Sequence, residues 1–213
     1  MALRFMTKDL LIIFVKNLVL GKVKTRLAHA LGKQAAFEIY RALLDLTRRA
    51  TLDVKADVRI FYSDAIVEDG WTTASKHIQK GNTIGERMMN AFKEGFETGY
   101  EQIILIGSDL PDMNLNLIEE GFKSLSKADC IFGPSADGGY YLVGLNRLHK
   151  FIFEDKPWSQ PQLLEETLRE LRSKNLKFKT LMTLNDIDTV EDLKTSNFFK
   201  SNFKLQAKLK AMS

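Results

Sequence analysis

The residues best suited to chemistry in this sequence are aspartates that follow short apolar runs. Gln102–Gly107 reads QIILIG, and Ser108-Asp109-Leu110-Pro111-Asp112 comes straight after it. A carboxylate at the tip of a buried strand is costly to desolvate unless it is paired or bound to a cation. Hard divalent cations take carboxylate oxygens and commonly share them with substrate phosphates. Asp109 therefore reads as a ligand for Mg2+ or Mn2+, with Asp112 a further carboxylate or a turn residue. A capping role for Asp109 is less apt, because Asn114 and Asn116 already stand where the next helix must start. A second acidic stretch, Asn185-Asp186-Ile187-Asp188-Thr189, sets two carboxylates two residues apart, on one side of an extended chain. Asp186 and Asp188 can complete an octahedral site with Asp109. Asp188 or Thr189 serves equally well as cap of the helix that follows.

A basic loop complements these acids. Residues 16–27 read KNLVLGKVKTRL, with Lys16, Lys22, Lys24 and Arg26 around the single Gly21. A strand-to-helix loop with several cations can neutralise a polyphosphate, and a solvated basic loop is the plainer alternative. It is not a P-loop, since Val23 stands where glycine must precede the Lys24-Thr25 pair. The Gly-x-Gly-x-x-Gly dinucleotide pattern is absent as well. In Gly133–Tyr141 (GPSADGGYY), Gly138 and Gly139 either bring backbone N–H groups close to a ligand or simply turn a hairpin. Thr83-Ile84-Gly85-Glu86 has capping-box spacing, which accounts for Thr83 and Glu86 and leaves Gly85 as room for a nucleotide. Trp158 is either a core ring or a ring that stacks on an acceptor. His29, His77, His149 and Cys130 lack the spacing of a structural zinc site. No Gly-x-Ser-x-Gly elbow supports a serine hydrolase.

Strand-length apolar runs alternate with helix-period segments. Leu10–Val15, Asp57–Tyr62, Gln102–Gly107, Asp129–Phe132, Tyr140–Leu145 and Phe178–Leu184 read as strands. Lys33–Arg49, Thr83–Gly99, Leu115–Leu125 and Gln162–Lys174 read as helices, the last with Pro161 at its first turn, and a short helix begins at Val190–Leu193. The alternation predicts an α/β fold, a mostly parallel sheet with helices on both faces. Ligands in such sheets bind beyond the carboxyl ends of the strands, where the acidic and basic loops fall.

The 213 residues suit one domain, expected over 1–195, followed by a basic helical tail, 196–213. That tail is expected to cover the sheet. Lys194, Lys200, Lys204, Lys208 and Lys210 follow Asp192 with no acid among them, so the net charge of +4 leaves the preceding chain near −1 (4 − 5). A near-neutral body is not that of a nucleic-acid-binding protein. The apolar run Leu10–Val15 is too short to span a bilayer or to serve as the core of a leader peptide. A single cysteine, Cys130, fits a reducing, cytoplasmic compartment.

Six stretches together carry a family resemblance: FVKNLVLGKVKTRLA, GNTIGERMMNAF, LIGSDLPDMN, FGPSADGGYYLVGL, PWSQPQLLEET and NDIDTVEDL, in that order over residues 14–193. The chain resembles bacterial glycosyltransferase-like proteins of the radical-SAM/selenodomain-associated transferase type. These belong to the nucleotide-diphospho-sugar transferase (GT-A) superfamily and are similar to molybdopterin and phospholactate guanylyltransferases. The resemblance implies a GT-A, Rossmann-like fold and a transferase that uses a nucleoside triphosphate or nucleotide sugar. It implies a small acceptor, phosphorylated or not, and Mg2+ or Mn2+ held by Asp109 with Asp186 or Asp188. It also implies that Lys24 and Arg26 meet the nucleotide phosphates, with Lys16, Gly21, Gly85 and Ser108 nearby. Asp137, Gly138, Gly139 and Tyr140 would then line the acceptor side, with Trp158. The first loop is poorer in glycine than is usual for nucleotidyltransferases, and Leu18 stands where relatives often have proline. A non-catalytic nucleotide- or metabolite-binding module is therefore the alternative.

Overall fold

The computed structural model describes residues 7–212. The first strand, β1 (Asp9–Val15), is buried from Leu10 onward. Its side chains alternate between two cores: Leu10, Ile12 and Phe14 on one face, Leu11, Ile13 and Val15 on the other. That is the period of a strand covered on both sides. The remaining strands are β2 (Asp57–Tyr62), β3 (Ser75–Ile78), β4 (Gln102–Ile106), β5 (Cys130–Pro134), β6 (Tyr140–Leu145) and β7 (Phe178–Thr180). They form one sheet in the order β3-β2-β1-β4-β6-β5-β7. Every pairing is parallel except those of β6 with β4 and β5.

The helices are α1 (Thr25–Leu31), α2 (Lys33–Ala50), α3 (Ile84–Glu97), α4 (Leu115–Leu125), α5 (Leu163–Ser173), α6 (Val190–Thr195), α7 (Asn197–Ser201) and α8 (Phe203–Lys210). On one face of the sheet, Leu44 of α2 and Leu117, Ile118 and Leu125 of α4 pack against Leu11, Ile13 and Ile104. On the other, Met88 and Phe92 of α3 and Leu171 of α5 pack against Leu10, Ile12 and Ile103. Full burial of one such aliphatic or aromatic side chain stabilises the fold by about 1.5–3 kcal/mol. The chain runs from β1 outward to β2 and β3, then crosses back to place β4 on the other side of β1. Strand order therefore reverses between β1 and β4, and their carboxyl ends carry the basic loop and Asp109.

The α/β fold read from the sequence is the fold observed. Three local differences have physical reasons. Strand β3 (SKHI) lacks an apolar alternation because it is an edge strand, held partly by His77 stacked on Phe61 at 4.8 Å. The last strand, expected over Phe178–Leu184, leaves the sheet after Thr180, and Leu184 returns only as an isolated bridge to Ser135. The tail forms α7 and α8, whose Phe198 and Leu205 pack on Leu27, Ile39 and Leu43, making a further helical layer rather than a cover for the sheet. Asn114 is the cap of α4, its side chain accepting from Leu117 N. Pro161 lies two residues before the first helical residue of α5. Among the described residues, no helix is long and apolar enough to cross a membrane.

Candidate active site

The basic loop is fixed at both ends by polar ties. The Tyr40 hydroxyl on α2 accepts from Lys16 N at 3.0 Å and lies 2.9 Å from Ser108 Oγ, linking the ends of β1 and β4. Burial foremost pushes the Tyr40 phenol up to about 12, so it acts as a neutral tether. Buried Asn17 accepts from Asp64 N at 2.9 Å and donates to Ala65 O at 2.7 Å, pinning the loop to the chain beyond β2. The loop ends at Lys24, the N-cap of α1, in a left-handed conformation (φ 44°, ψ 55°) that few non-glycine residues adopt. This turn sends the lysine inward, where its side chain is only 5% exposed.

Lys24 Nζ reaches Asp109 Oδ2 at 2.9 Å and Asp188 Oδ1 at 3.0 Å, and Arg26 Nη1 lies 3.4 Å from Asp188 Oδ2. Asp109, Asp186 and Asp188 each offer a carboxylate oxygen within 4.8 Å of the others. The two acidic loops thus converge, although 77 positions separate Asp109 from Asp186. Thr189 caps α6 in a reciprocal box with Asp192, whose carboxylate also accepts from Asp188 N at 3.2 Å. Thr189 takes the capping role, which leaves the Asp188 side chain to face Lys24. Burial, then the nearby Asp109 and Asp188 charges, push the Asp186 carboxyl up to about 6 against the opposing pull of Lys24. Burial alone would lower the Lys24 ammonium, but Asp109 and Asp188 more than offset it and the net shift is upward.

Two cavities open on either side of this cluster, and Phe14, Ile84, Gly107 and Asp109 line both. One, of about 510 Å³, is lined by Lys16, Lys24, Arg26 and Arg87 together with Ser63 and Gln79. The other, of about 440 Å³, is lined by Met88, Tyr140, Trp158 and Leu163 with Asp137 and Asp186. A larger groove of about 850 Å³ between α2 and the C-terminal helices shares no lining residue with either.

The other residues singled out from the sequence fall as follows. Gly139 lines the second cavity, and its N–H is held by Asp137 Oδ1 at 3.0 Å. Gly138 (φ +90°) lets the hairpin meet the segment before α5: a Cβ there would lie 2.0 Å from Pro161 O. Ser108 lines the first cavity with its hydroxyl engaged by Tyr40. Gly21 lines neither cavity. Gly85 has its Cβ position filled, 2.7 Å from the Trp158 ring and 2.5 Å from Phe153 O, so this glycine lets α3 pack on Trp158 rather than leaving space for a ligand. Thr83 caps α3, but Glu86 accepts from Asn82 N instead of completing the box. Sequence reasoning missed Tyr40, Ser63, Gln79 and Arg87. Arg87 sits in the quoted GNTIGERM stretch and was detectable as a cation one turn into a helix beside the site. The tether made by Tyr40 left no signal, because it lies on the apolar face of α2.

The chain is similar to the 2-phospho-L-lactate guanylyltransferase of Methanocaldococcus vulcanius, 26% identical over 190 residues that cover 86% of this chain and 82% of that protein. Its structure overlays that of a candidate nucleotide-diphospho-sugar transferase from Desulfovibrio desulfuricans G20 with a TM-score of 0.86, at 30% identity and covering 97% of each chain. Rv0371C of Mycobacterium tuberculosis H37Rv, solved as a complex with manganese, shares the fold at 14% identity, with a TM-score of 0.52 over 92% of this chain and 100% of that one. Residues 46–160 match the family of uncharacterised proteins conserved in bacteria designated DUF2064, and the chain belongs to that family.

Proposed function

We propose that this chain is a cytoplasmic, divalent-cation-dependent nucleotidyltransferase that joins the nucleotidyl group of a nucleoside triphosphate to a small phosphorylated acceptor. The reading assigns catalysis to residues 1–195 and leaves 196–213 as a basic tail. The observation that carries it is the convergence of Asp109, Asp186 and Asp188 within 4.8 Å, with Lys24 and Arg26 against them. Three carboxylate oxygens make a hard donor set that suits Mg2+ or Mn2+ and fits soft metals poorly. When bound there, such a cation supplies Lewis-acid polarisation of a phosphoryl oxygen and neutralises developing charge.

The protein's own groups supply position and field. Lys24, Arg26, Lys16 and Arg87 line one side of the cleft, where a triphosphate would lie with its α-phosphoryl group against the carboxylates. These preorganised cations stabilise the charge that builds on the departing phosphates. An acceptor phosphate oxygen attacks the α-phosphorus and a new P–O bond forms. The bond from that phosphorus to the oxygen bridging to the β-phosphate breaks, and pyrophosphate leaves with the electron pair. A phosphomonoester dianion carries no proton on its attacking oxygen, so the step calls for no general base. This agrees with cavity walls that hold no histidine, cysteine or glutamate among the described residues.

One observation favours a second reading. Lys24 already bridges Asp109 and Asp188, so two of the three carboxylates have an internal counter-ion, as a binding module without catalysis would allow. Pyrophosphate release separates the two readings. The protein would be incubated with Mn2+, each of the four nucleoside triphosphates and a panel of phosphomonoesters. Acceptor-dependent pyrophosphate supports transfer. Nucleotide binding with no product from any pair supports the module. Release of a nucleoside diphosphate from a nucleotide sugar would instead point to glycosyl transfer.

A further inference from the structure

The two cavities differ in charge, and the difference specifies the acceptor. The cavity assigned to the triphosphate gathers Lys16, Lys24, Arg26 and Arg87. Across the carboxylate cluster, no lysine, arginine or histidine lines the second cavity among the described residues. Its walls include Phe14, Met88, Tyr140, Trp158 and Leu163, its neutral polar side chains are Ser135, Ser159 and Gln160 besides the tyrosines, and its only charges are the acidic Asp109, Asp137 and Asp186. The Tyr140 ring sits edge-on to Phe132 and Trp158, with centroids 5.4 and 6.5 Å away. Its hydroxyl is buried in that wall without a hydrogen-bond partner. Asp137 stands on the hairpin between β5 and β6, braced by Gly139 N and by the close fit of Gly138 on Pro161.

We propose that the acceptor is a phosphomonoester whose body, apart from its one phosphate, is apolar or aromatic and uncharged or cationic. A second anionic group on the acceptor is selected against. The proposal rests on the nucleotidyl reading for the reaction itself and deepens it by naming the acceptor class. An acceptor phosphate can be matched by a cation at the three carboxylates. A further carboxylate, as on phospholactate, would sit in a cavity whose free charge is Asp137, with no lysine, arginine or histidine in the walls to pair it. Like charges brought together in a partly desolvated site disfavour binding strongly. An aromatic or branched aliphatic body instead gains contact with Trp158 and Met88, and an ammonium or hydroxyl group gains Asp137 as acceptor. In this respect the site departs from what the name of the Methanocaldococcus relative describes.

Trp158 gives a readout that does not depend on turnover. Trp71, the other tryptophan, is buried in the opposite core and does not line this cavity. Emission would be titrated in the full chain with Mn2+ present, using benzyl phosphate, phosphoethanolamine and 2-phospholactate, with Trp158→Phe as the control that removes the signal. Benzyl phosphate and phosphoethanolamine are expected to bind at least about 10-fold more tightly than 2-phospholactate. Asp137→Lys should narrow or reverse that preference, while Asp137→Asn, which keeps an acceptor for Gly139 N, should only weaken it. Binding of 2-phospholactate as tight as that of benzyl phosphate overturns the proposal, and so does an absence of emission change with all three. If benzyl phosphate is preferred but no nucleoside triphosphate yields pyrophosphate with it, the nucleotidyl reading fails and the acceptor-side preference stands.

Discussion

At the scale of single residues, the site is a balance between three carboxylates and two internal cations. Lys24 neutralises Asp109 and Asp188, and the proposed divalent ion would compete with it for them in the free protein. Lys24→Met should therefore tighten Mn2+ binding in the absence of nucleotide, while cutting turnover by about 10²–10³-fold because a phosphate-directed charge is lost. Calorimetric Mn2+ titration and a pyrophosphate assay on the same variant read the two effects; parallel losses in both would contradict the competition. Asp186 makes a separate prediction. Its carboxyl is raised to about 6 by burial and by its acidic neighbours. A raised folded-state value means that stability present below about pH 4 is lost as pH rises through 6. Asp186→Asn should then raise the metal-free protein's stability at pH 8 by about 1–2 kcal/mol after allowance for solvent screening, about 2–8 °C in Tm. The gain should vanish at pH 4 in EDTA-treated samples followed by thermal melts. Asp109 was legible as the carboxylate ending a wholly apolar strand. From residue types alone Lys24 was legible as one of four loop cations, and the family resemblance singled it out with Arg26; its inward turn depends on a left-handed backbone that composition does not reveal.

At the scale of elements, the site depends on how two loops are held. The Tyr40–Lys16–Ser108 tie joins the ends of β1 and β4 where strand order reverses, and the Thr189–Asp192 box holds the Asp186–Asp188 turn. The helices and central strands were readable because their apolar periodicity coincides with burial on both faces of the sheet. Edge strand β3 and the short helix α1 were not: one lacks an inward apolar row, and the other is seven residues long with only Leu27 buried. Packing partners of the glycines were not legible in the sequence. Gly85 serves packing against Trp158, and Gly138 serves the contact with Pro161. Gly138→Ala forces a side chain into a left-handed position and against a carbonyl 2.0 Å away. It should cost about 1–3 kcal/mol from the backbone alone and shift Trp158 emission as the hairpin moves. A melt and spectrum like those of the parent chain would contradict that account. The C-terminal helices likewise hold α1 and α2: Phe198, 8% exposed, packs on Leu27, Ile39 and Leu43. Phe198→Ala should destabilise by about 3–5 kcal/mol, measured by urea unfolding.

At the scale of the whole molecule, charge is divided across one cleft, and stability responds to acid away from it. His77, between Phe61 and Glu94, and His149 both have pKa values lowered, by burial first. Glu94 opposes the shift at His77, whereas Arg59 and Lys80 reinforce it. Groups held below their unfolded value of 6.5 give stability that is present above that pH and lost as pH falls through the folded values. With the opposing Asp186 contribution removed by Asp186→Asn, unfolding midpoints should therefore drop as pH falls below about 6.5, with a shallower slope when His77→Gln is added. The central claim is that Asp109, Asp186 and Asp188 hold one divalent cation that a nucleoside triphosphate shares. Its most direct test is Mn2+ binding followed by electron paramagnetic resonance, with and without GTP, in the parent chain, Asp109→Asn and Asp186→Asn. One bound Mn2+ per chain is predicted, bound more tightly with GTP. Either substitution should weaken it by at least about 10–100-fold, the loss that altering a mere neighbour of a metal ligand already causes. Mn2+ affinity unchanged by both substitutions would contradict the account.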